Sequence, residues 1–190
     1  MKKFRAVIVA VGDRSGIPSS INRLNCERNR PVDHSALIDQ YEVGADVLTR
    51  GLEGLTNAEL LAYPVPGTWS IQEIAIHLMD SDLIGSDRMK RTIAENRPSL
   101  LGYDENAFVK NLRYDLQDVH AAAAIFAANR RLFTVVLRAI PNEAFSRVGI
   151  HNENGPETLE HQLKKYIKHL EHHMTFLSKK RALLGKPLKL

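Results

Sequence analysis

The sequence contains a single cysteine, Cys26, among its 190 residues. One cysteine excludes an internal disulfide bond and a zinc site built from several thiolates. We therefore expect a reducing, cytoplasmic environment, and any bound metal must be held by histidine and carboxylate side chains.

Long hydrophobic runs and clusters of basic residues are also missing. No apolar stretch approaches the roughly 20 residues that a membrane-spanning helix needs. The 26 Lys and Arg residues are scattered along the chain, the formal net charge is only +4, and no zinc-finger or RNA-binding aromatic pattern is present. We expect a small-molecule substrate, and neither a membrane nor a nucleic acid, as the partner.

The first 30 residues lack a helical period. They begin with MKKFRAVIVAV, in which a charged start and a short apolar run weakly resemble a signal peptide. The apolar run is only about seven residues long, and no cleavage-site pattern follows it. We interpret residues 1–30 as an atypical, disordered extension and residues 31–190 as one domain.

From Pro31 onward, apolar residues recur at helical spacing. Capping-box patterns at Thr56–Glu59 and Ser70–Glu73 mark the starts of two helices, and Thr158 is a candidate cap for a later one. The pattern predicts four long helices and one short helix, over about 33–54, 57–62, 71–96, 117–139 and 157–183.

The segments between these helices show no strand pattern. Residues 98–116 are predicted to be a long loop with one helical turn near 104–110, and residues 141–156 a second loop. Together these features predict an all-α protein, a four-helix bundle with a long connection between helices two and three.

The segment KHLEHHMTF, residues 168–176, places three of the eight histidines within six positions. On a helical wheel His169 and His173 lie one above the other beside the core stripe, whereas His172 points to solvent. Imidazoles at positions i and i+4 can converge on one ion, and His77 has a similar flank position on the second long helix. His77, His169 and His173 are therefore a candidate three-histidine metal site with an open coordination position. The alternative is a polar helix face that binds no metal.

Two polar residues of the second long helix are candidates for a role beside the metal. Asp82 falls near the apolar stripe, where a carboxylate must be paired, protonated or functional. It is a candidate base or partner of a ligand histidine, and an ion pair with an arginine of another helix is the structural alternative. Arg88 lies on the His77 side and is a candidate for binding a substrate anion, with a surface ion pair as the alternative. Asp80 points outward, and no role is expected for it.

Several other polar and aromatic residues also allow predictions. Trp69 precedes a helix cap and is expected to pack as a hydrophobic staple, with substrate contact as the alternative. Tyr103 and Asp104 lie in the long loop and are candidates for a lid. Three histidines without a spacing partner are expected at the surface, namely His34, His120 and His151.

Two stretches together resemble the DinB/YfiT-like superfamily. GLTNAELLAYPVPGTWSIQEIAIHLMDSDLIGSDRMKRTIAE shows the family's short helix, Pro/Gly break, Trp-Ser helix start and His-Leu pair, and YIKHLEHHMTFLSKKRALLG resembles its closing helix with H-x-x-x-H. The resemblance covers about residues 31–185. It implies a four-helix bundle with a divalent metal, usually zinc or nickel, and it carries the ligand role onto His77, His169 and His173.

The same resemblance implies an activity and an assembly. It suggests transfer or isomerisation with a low-molecular-weight thiol, or metal-dependent hydrolysis, in a homodimer. We therefore expect a metal-dependent thiol S-transferase or hydrolase that acts on a small electrophile. There are two alternatives: a non-catalytic metal- or ligand-binding bundle with a role in stress, and a metal-free structural bundle.

Overall fold

Seven α-helices and a small sheet make up residues 33–188, the part of the chain that the computed structural model describes. The predicted extension over residues 1–30 lies outside this part. The helices are α1 (Ser35–Val43), α2 (Val47–Leu52), α3 (Asn57–Leu60), α4 (Ile71–Ala94), α5 (Glu105–Asn111), α6 (Val119–Ala139) and α7 (Leu159–Leu183). The strands are β1 (Ser99–Leu100), β2 (Val148–His151) and β3 (Gly155–Thr158). None of the described helices is both long and apolar enough to cross a membrane.

The long helices form the predicted four-helix bundle, in which the α1–α2 pair acts as one member. A 3-10 turn at Gly44–Asp46 joins α1 to α2, so the helix predicted over 33–54 is interrupted. At Gly44 a Cβ atom would lie 2.5 Å from Arg130 Nη1 and 2.8 Å from Leu170 Cδ2, so α1 and α2 approach α6 and α7 closely here. The α1–α2 pair and α4 each pack mainly against α6 and α7, which places them at opposite corners of the bundle. This is not the arrangement of a simple up-and-down bundle.

Local capping explains where the site-bearing helices begin. The Ser70 hydroxyl accepts the Glu73 N–H, and the Glu73 carboxylate accepts the Ser70 N–H at 2.6 Å, which confirms the predicted capping box of α4. The Thr158 hydroxyl accepts the His161 N–H at 3.1 Å and caps α7. These caps fix where the two helices that carry the histidines begin.

The sheet is a feature that the sequence pattern failed to predict. Strand β1 pairs in parallel with β2, and β2 pairs antiparallel with β3 in a hairpin. Gly149 is required at the centre, because a Cβ atom there would lie 2.6 Å from Leu100 Cδ1 and 2.8 Å from Thr92 Oγ1. The two predicted loops therefore contain paired strands, and the helical turn predicted near 104–110 is confirmed as α5.

The interior consists of two clusters of buried apolar residues along the bundle. One contains Leu48, Ile74 and Phe126, and the other is built around Met89 and Phe133. Burial of this apolar surface is the main source of stability. The histidine-rich part of α7 borders the first cluster, through Leu170 and Met174.

Candidate metal centre

Helices α4 and α7 bring His77, His169 and His173 into one cluster. One possible ligand atom from each histidine lies within 4.8 Å of the others. The Nε2 atoms of His77 and His169 are 3.1 Å apart, and the ring centroids of His169 and His173 are 4.6 Å apart. His172 is exposed, as its helical position predicts, although its ring centroid lies 5.4 Å from that of His173.

The spacing suits a divalent ion. Metal–imidazole bonds of about 2.0–2.1 Å in tetrahedral geometry place neighbouring nitrogen atoms about 3.4 Å apart, close to the His77–His169 distance of 3.1 Å. The Nδ1 atom of His77 is buried and has no hydrogen-bond partner among the described residues. An unpaired buried polar atom is costly, so this nitrogen needs a partner of its own, in addition to any ion bound at Nε2.

Burial keeps the three imidazoles neutral. His77 is fully buried, and burial together with the neighbouring His173 and His169 lowers its pKa to about 3. Burial and the neighbouring His173 lower the pKa of His169 to about 3. Burial and His172 lower the pKa of His173 to about 4. Near neutral pH the rings are thus unprotonated, as metal ligands must be.

Trp69 forms one wall of the cluster. Its ring is stacked on that of His173, with centroids 6.0 Å apart and an interplanar angle of 4°. It also lies 4.8 Å from the ring of His77. Trp69 packs against the apolar core as well, so the residue before the α4 cap both anchors the helix and covers two of the histidines.

Asp82 lies in an ion pair within the bundle. Its Oδ1 accepts from Arg130 Nε at 2.8 Å and its Oδ2 from Asn129 Nδ2 at 2.8 Å, and both charged side chains are almost fully buried. The Arg130 guanidinium also lies over the rings of Tyr41 and Phe126, at 4.5 Å and 4.6 Å. This is the ion pair with an arginine of another helix that was predicted as the alternative to a role at the metal. Within residues 33–188, no hydrogen bond joins Asp82 to the three histidines.

The prediction that Asp80 points outward is wrong. It is half-buried, and its Oδ2 accepts the Tyr114 hydroxyl at 2.6 Å. Tyr114 belongs to the 3-10 turn before α6 and is itself fully buried. The helical wheel of α4 could not show this contact, since the partner comes from the connection that folds over the helix.

Arg88 is buried rather than part of a surface ion pair. Its Nη1 donates to the Tyr166 hydroxyl at 3.0 Å, and its Nη2 donates to the Leu101 carbonyl. Arg88 lines a cavity of about 130 Å³ that also reaches His169 and Tyr103. The cavity therefore borders the histidine cluster.

Two of the three histidines predicted at the surface are buried. His151, on β2, is 3% exposed and lines the same cavity as Arg88. His34 is 7% exposed and stacks on Phe145 with centroids 4.0 Å apart. The surface prediction holds for His120, which is exposed. Tertiary contacts outside the helix period bury the other two.

Tyr103 and Asp104, the two candidates for a lid, differ in their surroundings. The half-buried Tyr103 lines the cavity, and the Arg88 guanidinium lies 6.0 Å from the centroid of its ring. Asp104 is exposed and caps α5, because its carboxylate accepts the Ala107 N–H at 3.0 Å. Of the pair, only Tyr103 is placed to contact a molecule in the cavity.

The fold and the cluster define a class: helical bundles with a three-histidine site suited to a divalent metal. The family model of the DinB superfamily matches residues 40–177. The chain belongs to the DinB superfamily.

Curated relatives and solved structures agree with this assignment. The protein of Bacillus subtilis named "Putative metal-dependent hydrolase YfiT" is 26% identical over 140 residues, which cover 73% of this chain and 78% of that protein. A relative of Oceanobacillus iheyensis with the same kind of name, OB0782, is 24% identical over 141 residues, covering 74% and 81%.

Two solved structures share the fold. The structure of YfiT from Bacillus subtilis, described as an unusual four-helix bundle, matches with a TM-score of 0.76 at 22% identity, covering 92% of this chain and 94% of that one. The mycothiol-dependent maleylpyruvate isomerase matches with a TM-score of 0.62 at 13% identity, covering 77% and 61%.

Proposed function

We propose that this protein is a metal-dependent enzyme in which His77, His169 and His173 hold one divalent ion. The observation that carries the proposal is the cluster itself, three neutral imidazoles on two helices beside a small polar cavity. Imidazole nitrogen suits zinc and nickel, and we propose one of these two as the metal. Cys26 is not needed as a ligand.

Three protein ligands leave room for a further one, as in catalytic rather than structural sites. When bound, the ion would lower the pKa of a coordinated water or thiol and so supply a nucleophile near neutral pH. The chain's own contribution is positional. Trp69 covers two histidines on one side, and the cavity with Arg88 and Tyr103 adjoins His169.

The proposed reaction is hydrolysis of a small electrophilic substrate, or transfer of a low-molecular-weight thiol to one. The relatives' names support the hydrolase form, and the mycothiol-dependent isomerase supports a thiol cosubstrate in the same fold. We further propose a cytoplasmic homodimer, on the family resemblance and the low cysteine content.

A non-catalytic metal-binding role is the second candidate. The complete burial of His77 and the stacking of Trp69 on His173 favour it, because both limit access to the cluster. The half-buried state of His169 and His173 favours the enzyme. Access of small molecules to the bound metal separates the two functions.

Elemental analysis of the untagged protein tests the site first. We expect about one zinc or nickel ion per chain, retained in His172→Ala and lost in His77→Ala and His169→Ala. His172→Ala is the matched control, because it removes an exposed imidazole from the same turn of α7. An ion content that is unchanged in the His77 and His169 variants would refute the site.

A panel of esters, amides and thiol-plus-electrophile pairs then tests the activity. The enzyme should turn over a member of the panel, and turnover should disappear in His169→Ala but not in His172→Ala. A fully loaded protein that binds its metal tightly and turns over none of them would favour the non-catalytic function.

A further inference from the structure

The cavity beside His169 contains a buried guanidinium that has no counter-ion among the described residues. Arg88 is only 7% exposed, yet no described carboxylate lies within ion-pair distance of it. Its Nη atoms donate to Tyr166 and Leu101, both uncharged, and its Nε is buried without a partner among residues 33–188. A buried charge is normally paired, so an anion would complete this arrangement.

His151 presents a second donor group to the same cavity. Its Nδ1 accepts the backbone N–H groups of Glu153 and Asn154, at 3.2 Å and 3.4 Å. A nitrogen that accepts hydrogen bonds carries no proton, so the neutral ring must carry its proton on Nε2. The hairpin between β2 and β3 therefore fixes His151 as an Nε2–H donor.

The Tyr103 hydroxyl is the third donor. It is buried and makes no hydrogen bond of normal geometry with the described residues, although the Ser81 side chain lies close to it. Its ring packs against Phe108 of α5, with centroids 4.7 Å apart, which holds it over the cavity. Arg88 of α4, His151 of β2 and Tyr103 of the connection between β1 and α5 line one space.

We propose that this cavity binds a carboxylate group of the substrate, held by Arg88, Tyr103 and His151. The inference rests on the proposed function and adds the substrate class, a small electrophile that carries a carboxylate. His169 lines the same cavity, and the Tyr166 that accepts from Arg88 is one turn away from it on α7. A carboxylate on Arg88 thus places the rest of a short molecule beside the histidine cluster.

Size and charge favour a carboxylate over larger or more highly charged anions. A cavity of about 130 Å³ corresponds to roughly four water molecules, enough for a carboxylate and a short carbon chain. The lining also includes the exposed residues Glu105 and Glu153, which disfavour groups with two negative charges. Lys165 adds little positive charge, because Glu157 already pairs with it at 3.3 Å.

The test is a titration of the full-length protein, as purified, with sodium propionate at constant ionic strength. Binding is followed by NMR through the Nε–H resonance of Arg88 and by calorimetry. We expect propionate affinity to fall at least about tenfold in Arg88→Gln, because a charge-assisted hydrogen bond is lost. Arg91→Gln, which removes an exposed arginine one turn further along α4, should leave the affinity unchanged.

Tyr103→Phe is the second variant, and it keeps the inference testable if Arg88→Gln unfolds. It removes only a hydroxyl that has no protein partner, so the fold should be retained. We expect affinity for propionate to fall about three- to tenfold. No propionate binding to the wild type, or equal binding to wild type and both variants, would overturn the proposal.

Two further measurements distinguish propionate binding in this cavity from propionate binding to the metal ion. Binding that is lost in His77→Ala but kept in Arg88→Gln would place the carboxylate on the ion and overturn the proposal. Propionate binding through Arg88 in a protein that holds no metal would support it while refuting the proposed function. Inorganic phosphate should bind at least about tenfold more weakly than propionate, and equal binding would overturn the assignment to carboxylates.

Discussion

Gly85 of α4 lies directly against the ring of Tyr166 on α7. A Cβ atom at position 85 would be 2.2 Å from Cζ and 2.4 Å from Cε1 of that ring. The missing side chain lets α4 and α7 approach closely between the histidine cluster and Arg88. The contact between Gly85 and the ring also sets the position of the Tyr166 hydroxyl, which accepts a hydrogen bond from Arg88.

Gly85→Ala should destabilise the protein by about 1–3 kcal/mol, because the added methyl group displaces the Tyr166 ring. The measurement is urea unfolding followed by circular dichroism. Tyr166→Leu provides the control, since it removes the ring carbons that clash. In the double variant the two losses should be clearly less than additive, and full additivity would contradict the steric explanation.

Asp82→Asn should cost about 3–5 kcal/mol in the free energy of unfolding, because it leaves the Arg130 charge buried without its partner. The exposed pair Asp46–Arg131 gives the matched control, and Asp46→Asn should cost less than about 1 kcal/mol. The folded fraction of Asp82→Asn should keep its metal content. Loss of metal from a folded variant would instead give Asp82 a role at the metal site.

The fluorescence of Trp69 should report directly on the metal. It is the one tryptophan of the sequence, and it lies against His77 and His173. Adding nickel to protein freed of metal by a chelator should quench its emission and saturate at about one equivalent. His172→Ala should behave like the wild type, whereas His173→Ala should show no saturable change. Quenching that persists in His173→Ala would mean that the ion binds elsewhere.

Ser70→Ala should destabilise the protein by about 1 kcal/mol, because the N–H of Glu73 loses its buried acceptor. Thr56→Ala, at the exposed capping box of the four-residue helix α3, is the comparison and should cost less. The check is thermal unfolding of both variants. Equal losses would show that the burial of the α4 cap adds nothing to its strength.

The features that could be predicted from the sequence are those set by residues close together in the chain. Capping boxes at Ser70 and Thr56 and the placement of His169 above His173 follow from spacings of three and four residues, and each is found in the structure. The approach of His77 to His169 also followed from helix faces, because bundles place facing helices around a shared interior.

The unpredicted part depends on contacts between distant segments. Strand β1 has two residues, and its stability comes from pairing with β2, about 50 residues later in the sequence. The burial of His151 follows from that pairing. Asp80 meets Tyr114 for the same reason, through a connection that the helical wheel of α4 does not include. No period in the local sequence signals such contacts.

The positions of the three histidines in the sequence determine when they can come together during synthesis of the chain. His77 and His169 are separated by 92 positions in the sequence, and two of the three proposed ligands lie on α7. During synthesis only His77 is available before α7 emerges, and the three histidines come together only when α7 docks against α4. Under the proposed function, binding of one ion by all three histidines would therefore follow the docking of α7 against α4.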